Sequence, residues 1–160
     1  MADSAVTVEL RQQADYRFEV RFDDPALPPL VTDEPPPLGA GAGPNPARLL
    51  GTAVANCLAA SLLFALRKFR NVAAEPLRAT ASVAVVRNAQ QRLRIGRIEV
   101  DLHLAAAAAE LRSMDRVLSQ FEDFCIVTQS VRAAIEVDVR VLDGDGRVLS
   151  ASAGAGRALG

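Results

Sequence analysis

The chain has 160 residues, half of them apolar and 23% charged, a composition that suits one globular domain and excludes a disordered segment. Lys and Arg number 18 against 19 Asp and Glu, a net charge of −1, and aromatic residues make up 4% with no Trp. There is neither a field to draw in a polyanion nor a platform for stacking bases, so nucleic acid is not an expected partner.

The opening MADSAVTVEL shows no basic segment followed by an apolar core. No signal peptide is expected, and the expected location is cytoplasmic. The two cysteines, Cys57 and Cys125, are too few for a disulfide-stapled scaffold and are free thiols in a reducing compartment unless chemistry joins them. The first strands are expected over 6–10 and 16–22, with a hairpin tip at 13–15. In the second, Tyr16, Phe18, Val20 and Phe22 alternate with Arg17, Glu19 and Arg21, the period of a half-buried antiparallel strand. Residues 23–46 hold eight of the nine prolines together with Gly39, Gly41 and Gly43, which predicts a long loop, a lid or a connector, with at most a short edge strand near 30–32.

Asn45-Pro46 reads as a helix start, Asn as N-cap and Pro at the first helical position, with the helix running to about Phe69. Its stretch LLGTAVANCLAASLLFAL is apolar nearly all round, long enough to invite a membrane-span reading. It leans on weakly apolar Ala, however, and the strands around it would have no core without it. The expectation is therefore no membrane span but a buried central helix, too apolar for one sheet to cover and so also covered by a second subunit. Strands follow over 80–87 and 92–104. In the second, the apolar parity flips at Gly96, which predicts a β-bulge where glycine supplies unusual backbone angles. A helix is expected over 106–121 from the stripe Leu111, Met114, Val117, Leu118 and Phe121, and a shorter one over 126–132. A last alternating strand spans 135–142, a turn occupies 143–146, 147–149 pairs back, and a frayed, flexible tail begins at Ser150. The fold class is α+β, a largely antiparallel sheet with a long buried central helix, in one domain over 1–149 that contains the 23–46 loop; 150–160 is the tail.

His103 is the sole histidine, and no cysteines are closely spaced, so neither a zinc site nor a Ser-His-Asp or Cys-His hydrolase is expected. His103 reads as a surface residue at a strand end. Gly39, Gly41 and Gly43 lead into Asn-Pro and not into Lys-Ser/Thr, so no phosphate loop and no cofactor are expected. The thiols remain, either as two small core hydrophobes or as a redox pair.

The segments GPNPARLLGTAVANCLAASLLFAL and FEDFCIVTQSVRAAIEVDVRV resemble the OsmC/Ohr family, the osmotically inducible protein C and organic hydroperoxide resistance proteins. In that family Asn-Pro opens the central helix, a cysteine sits about three turns along it, and a second cysteine opens a late short helix before a final strand. The resemblance covers nearly the whole chain. It implies an intertwined homodimer with sites at the subunit interface. It also implies a thiol peroxidase in which Cys57 attacks an organic hydroperoxide and becomes a sulfenic acid, Cys125 condenses with it to a disulfide, and a dithiol reductant of lipoyl or thioredoxin type reopens the bond. Two motif positions differ from the family: Ala47 stands where peroxidase members carry a glutamate after Asn-Pro, and Ile126 follows Cys125 where they carry proline. The alternative reading keeps the fold without the activity, a dimer that binds a small molecule or a partner and whose cysteines only pack.

In the family an arginine from the first strands holds the peroxidatic thiolate. A free thiol has a pKa of about 8.5, and lowering it to about 6 takes ~3.4 kcal/mol. One guanidinium at about 4 Å supplies on the order of 4 kcal/mol at an effective dielectric near 20. Cys57 lies about 16 Å from the helix start at 1.5 Å per residue, beyond the reach of the helix dipole. Arg11, Arg17 and Arg21 all lie on the first strands, and Arg17 is taken as that group. Arg48 at the helix start opposes the dipole. Leu27, Leu30, Leu38 and Leu49 suit a greasy substrate better than hydrogen peroxide, and Glu122 and Asp123 are expected to cap the short helix or face water.

Overall fold

The computed structural model describes residues 5–154, which fall into two compact units, one up to Leu49 and one from Leu50. The mixed α+β class holds, with antiparallel strands and a long helix.

The first unit carries strands β1 (Val8–Ala14), β2 (Arg17–Phe22) and β3 (Leu30–Thr32), hydrogen-bonded in that order and antiparallel throughout. β1 starts later and runs further than its apolar residues suggest, because its fully exposed Arg11, Gln12 and Ala14 are held by the backbone ladder to β2 and need no buried face. The turn moves to Asp15 and Tyr16, with Asp15 in the left-handed region at φ 45°. In β2 Val20 is buried and Phe18 half-buried, while Phe22, and Tyr16 in the turn before it, stay exposed. The proline-rich segment folds around Asp33. This buried carboxylate accepts from the Ala40 and Ala42 backbone N–H groups at 3.1 and 3.0 Å, and the Ala42 bond above all holds its carboxyl below the usual range.

Helix α1 (Pro46–Lys68) begins as the sequence predicts, with the Asn45 side chain accepting from the Arg48 N–H at 3.1 Å. It is long and apolar enough to cross a membrane. In the second unit, however, its Val54, Leu58, Leu62 and Leu66 are fully buried in one core with Ile98, Val100, Leu102, Val137, Val139 and Val141. Each such side chain contributes on the order of 1.5–3 kcal/mol through burial. Gly51 allows the close approach, since a Cβ there would meet Val83 Cγ2 at 2.7 Å. The sheet behind α1 has the order β4 (Arg78–Arg87), β5 (Leu93–His103), β6 (Glu136–Leu142) and β7 (Val148–Ser152). Only the β5–β6 pair is parallel, and Arg140 and Arg97 on these strands pair with Asp101 and Asp138 across it.

The bulge at Gly96 is present: Ala84 pairs with Arg97 and Val85 with Ile95, which leaves Gly96 unpaired. The reason differs from the expected one. Gly96 has no positive φ; what it supplies is room, because a Cβ would meet Val86 Cγ2 at 2.5 Å. Gly96→Ala is expected to lower stability by about 1 kcal/mol, as overpacking does. Adding Val86→Ala should recover most of that loss in a double-mutant cycle read by urea unfolding; additive losses would contradict this account.

The continuous helix expected over 106–121 does not form. In its place are a 3-10 turn at Ala108–Glu110, the short helix α2 (Met114–Leu118) and a 3-10 turn at Phe121–Phe124. Tertiary hydrogen bonds take the backbone groups a helix would need. The Asn71 side chain brackets Arg112, donating to its carbonyl at 2.9 Å and accepting from its N–H at 2.7 Å, and Asp143 accepts from the Ala108 N–H at 3.0 Å. Ser113 then turns into the left-handed region at φ 53°. The apolar stripe still faces inward, with Val117 and Phe121 buried. The short helix expected next is α3 (Ile126–Val131). Asp143 also accepts from the N–H groups of Asp145 and Arg147, an Asx-type turn that feeds β7. Ser150, Ala151 and Ser152, placed by sequence in the frayed tail, pair with Val141, Arg140 and Val139; residues 155–160 of that tail lie outside the described residues.

Candidate functional site

Cys57 and Cys125 both belong to the second unit, and the fold brings them together. Cys57 sits on α1 directly before the fully buried Leu58, half-buried at the edge of the core. Cys125 lies at the junction of the Phe121–Phe124 turn and α3, fully buried and reduced. Cys57 lies close enough to act on the Cys125 thiol.

Three sets of contacts hold the Cys125 segment in place. On the α1 side, Phe124 meets Phe64 edge to face, ring centroids 6.3 Å apart and planes at 61°; Phe64 follows Cys57 by about two helical turns. On the sheet side, the Glu122 carboxylate pairs with Arg132 and accepts from the Ser152 hydroxyl at 2.7 Å, while Arg132 also donates to the Val137 carbonyl at 3.2 Å. Gly154 leaves space for that guanidinium, since a Cβ there would lie 2.8 Å from Arg132 Nε. The third set is local: the Thr128 N–H donates to Cys125 Sγ at 3.4 Å, and Thr128 Oγ1 lies 2.9 Å from the same sulfur. The sulfur itself is the N-cap of α3. Of the two carboxylates expected to cap that helix or face water, Asp123 is exposed, while Glu122 has its oxygens occupied by Arg132 and Ser152.

Burial is the largest influence on Cys125 and pushes its thiol up. The neighbouring Cys57 adds to this, while the hydroxyl and backbone N–H of Thr128 pull the other way. Burial thus favours the protonated form of the Cys125 thiol.

The candidate arginines lie in the first unit. Arg11 and Arg21 are each occupied by a carboxylate two residues away, Glu9 at 3.0 Å and Glu19 at 2.6 Å. Arg17 makes no ion pair among the described residues; its Nε is buried without a hydrogen-bond partner, and its charge acts on Asp33. It lines a cavity of about 70 Å³ with Ala14, Asp15, Asp33 and Ala40. Arg48 is exposed, and Ala47 follows Pro46 with no carboxylate to offer. His103 is half-buried at the end of β5, two residues after Asp101. Among the described residues no three His, Cys, Asp or Glu side chains cluster to hold a metal ion.

Thr128, Phe64, Phe124 and the Glu122–Arg132–Ser152 set escaped the sequence reading. A hydroxyl three residues after Cys125 has capping-box spacing and could have signalled Thr128. The others meet across long separations that periodicity does not reveal.

The architecture has known counterparts. An OsmC-like protein of unknown function from Vibrio cholerae superposes with a TM-score of 0.72 at 13% identity, over 88% of this chain and all of that one. The organic hydroperoxide resistance protein OsmC from Legionella pneumophila gives 0.68 at 15% identity, over 88% and 98% of the two chains. The organic hydroperoxide resistance protein OhrB of Bacillus subtilis gives 0.63 at 17% identity, over 86% and 98%. No curated protein sequence matches the chain significantly. At these identities the likeness is one of fold, but the sequence pattern of the family described as OsmC-like protein matches residues 39–140, from the glycines before α1 through most of β6. With both cysteines inside that span, the chain belongs to the OsmC-like family.

Proposed function

We propose that this protein is a thiol-dependent peroxidase that reduces organic or lipid hydroperoxides, with Cys57 as the attacking thiol and Cys125 as the resolving thiol. The observation that carries the reading is that the two free cysteines lie in one unit, close enough for Cys57 to act on the buried Cys125 thiol. In the first step the Cys57 thiolate attacks the outer oxygen of the hydroperoxide. The O–O bond breaks, Cys57 becomes a sulfenic acid, and the alkoxide takes a proton and leaves as the alcohol. Cys125 then attacks the Cys57 sulfur, a disulfide forms, and water departs. A dithiol of lipoyl or thioredoxin type returns both thiols by exchange.

Apolar side chains beside the thiols favour an organic substrate over hydrogen peroxide. Phe64, Phe124 and Ile126 are 62%, 55% and 76% exposed, unusual for such residues in a folded unit. The same exposure supports burial of this face in a homodimer, intertwined as in the family, with 1–149 acting as one domain in each subunit. Arg17 is proposed as the guanidinium that supports the Cys57 thiolate, since Arg11 and Arg21 are already occupied. A cytoplasmic location, where dithiol reductants are plentiful, goes with this chemistry.

The test is a thiol count. Full-length protein carrying two free thiols per chain is expected to lose both within minutes of adding one equivalent of cumene hydroperoxide, and to regain both with dihydrolipoamide. Two thiols still titratable after that exposure would replace the peroxidase with a binding protein whose cysteines only pack, the reading that Ala47 favours.

A further inference from the structure

Thr128 is fully buried, and a buried hydroxyl is costly unless it is hydrogen-bonded. Its Oγ1 lies 2.9 Å from Cys125 Sγ, and its backbone N–H points at the same sulfur from 3.4 Å. The backbone N–H makes the sulfur an acceptor; with the hydroxyl donating as well, the Cys125 S–H proton would lie toward the other group that acts on it, Cys57.

We propose that Thr128 is a positioning residue of the resolving step: its hydroxyl donates to Cys125 Sγ, directs the Cys125 S–H at Cys57 and stabilises the negative charge that develops on Cys125 as it attacks. This inference rests on the peroxidase reading and deepens it. The step balances within the two side chains. The Cys125–Cys57 S–S bond forms, the S–O bond of the Cys57 sulfenic acid breaks, and the Cys125 proton leaves with the hydroxyl as water. The oxidising equivalent is that of the hydroperoxide already consumed.

The surroundings of Cys125 leave the hydroxyl a clear part. From α1 the titratable group facing it is Cys57. On the Phe121–Phe124 turn, Glu122 is bound to Arg132 and Ser152, and Asp123 is exposed. From α3 Thr128 alone donates to the sulfur. Burial and Cys57 hold the Cys125 proton on, and the two Thr128 donors are what favour its release.

Thr128→Val removes the hydroxyl and keeps the backbone N–H and nearly the same shape, while Thr128→Ser keeps the hydroxyl. After one equivalent of cumene hydroperoxide, Thr128→Val is expected to form its disulfide about tenfold more slowly than the unsubstituted chain, with a sulfenic acid that dimedone traps. Its rate of hydroperoxide consumption in the first turnover should stay within twofold. Thr128→Ser should resolve within twofold of the unsubstituted rate. A second measurement needs no peroxidase activity: thiolate absorbance at 240 nm in the Cys57→Ser background, where Thr128→Val should move the Cys125 titration up by about one pH unit. An unmoved titration overturns the proposal, as does a Thr128→Ser chain that resolves as slowly as Thr128→Val, which would make the effect one of packing. A titration that moves while the unsubstituted chain leaves hydroperoxide untouched upholds the sulfur–hydroxyl contact and overturns the peroxidase reading alone.

Discussion

Cys57→Ser is expected to reduce steady-state consumption of cumene hydroperoxide by on the order of a thousandfold or more, whereas Cys125→Ser should leave the first turnover nearly intact. The difference follows from the chemistry of the two positions. A serine hydroxyl is not ionised near neutral pH and is a far weaker nucleophile toward oxygen than a thiolate, so replacing the attacking group removes the reaction. Replacing the resolving group leaves a Cys57 thiolate that still consumes one equivalent and stops as a sulfenic acid, labelled by dimedone. With a lipoyl-type dithiol in excess, Cys125→Ser should recover part of its turnover through direct attack of the reductant on that sulfenic acid. A Cys57→Ser chain that keeps a tenth of the activity would move the attacking role elsewhere. A Cys125→Ser chain that turns over at the unsubstituted rate would remove Cys125 from the cycle.

Much of this site was legible in the sequence because it is built from local signals. Asn45-Pro46 marks the start of α1 through two independent preferences, an N-cap acceptor and a proline at the first turn, and the helix begins there. The parity flip at Gly96 placed the bulge at the right residue although it misnamed the reason, since apolar alternation reports register but not the space beside a backbone. Periodicity failed where distant groups compete for backbone hydrogen bonds. Residues 106–121 have helical spacing, yet the Asn71 amide and the Asp143 carboxylate hold Arg112 and Ala108 from far along the chain, and the helix breaks into turns. The extension of β7 was hidden for a similar reason: Ser150, Ala151 and Ser152 have no apolar pattern of their own and are ordered by the ladder to β6.

The nearness of the two cysteines is a tertiary feature of the same kind. Nothing in the spacing of Cys57 and Cys125 joins them; the family resemblance does, and the structure supplies the means. Phe64 with Phe124 ties the Cys125 segment to α1, and Glu122 with Arg132 and Ser152 ties it to the sheet. In the proposed cycle, a Cys125 segment held from both sides would lower the entropic cost of bringing the two sulfurs to bonding distance.

Leu58→Ala is expected to destabilise the protein by about 3 kcal/mol, within the 2–5 kcal/mol that buried Leu-to-Ala changes cost. Alanine is the best helix former, so the loss cannot come from helix propensity. It comes from a side chain with no exposed surface in the core that joins α1 to β5 and β6. Phe64→Ala on the same helix is the informative control. Within one chain Phe64 is mostly exposed and contributes an edge contact to Phe124, so in dilute, monomeric protein it should cost about 1 kcal/mol or less, and more at concentrations where a homodimer covers this face. Urea unfolding of both variants would separate the two faces of α1: one is packed within the chain, and the other is exposed in the single chain. If Leu58→Ala lay within 1 kcal/mol of the unsubstituted chain, Leu58 would not be part of a close-packed core, and the placement of Cys57 immediately before it would lose its anchor. The same variant should also slow disulfide formation more than first-turnover consumption, because a cavity one residue from Cys57 loosens the sulfur–sulfur geometry without altering the hydroperoxide.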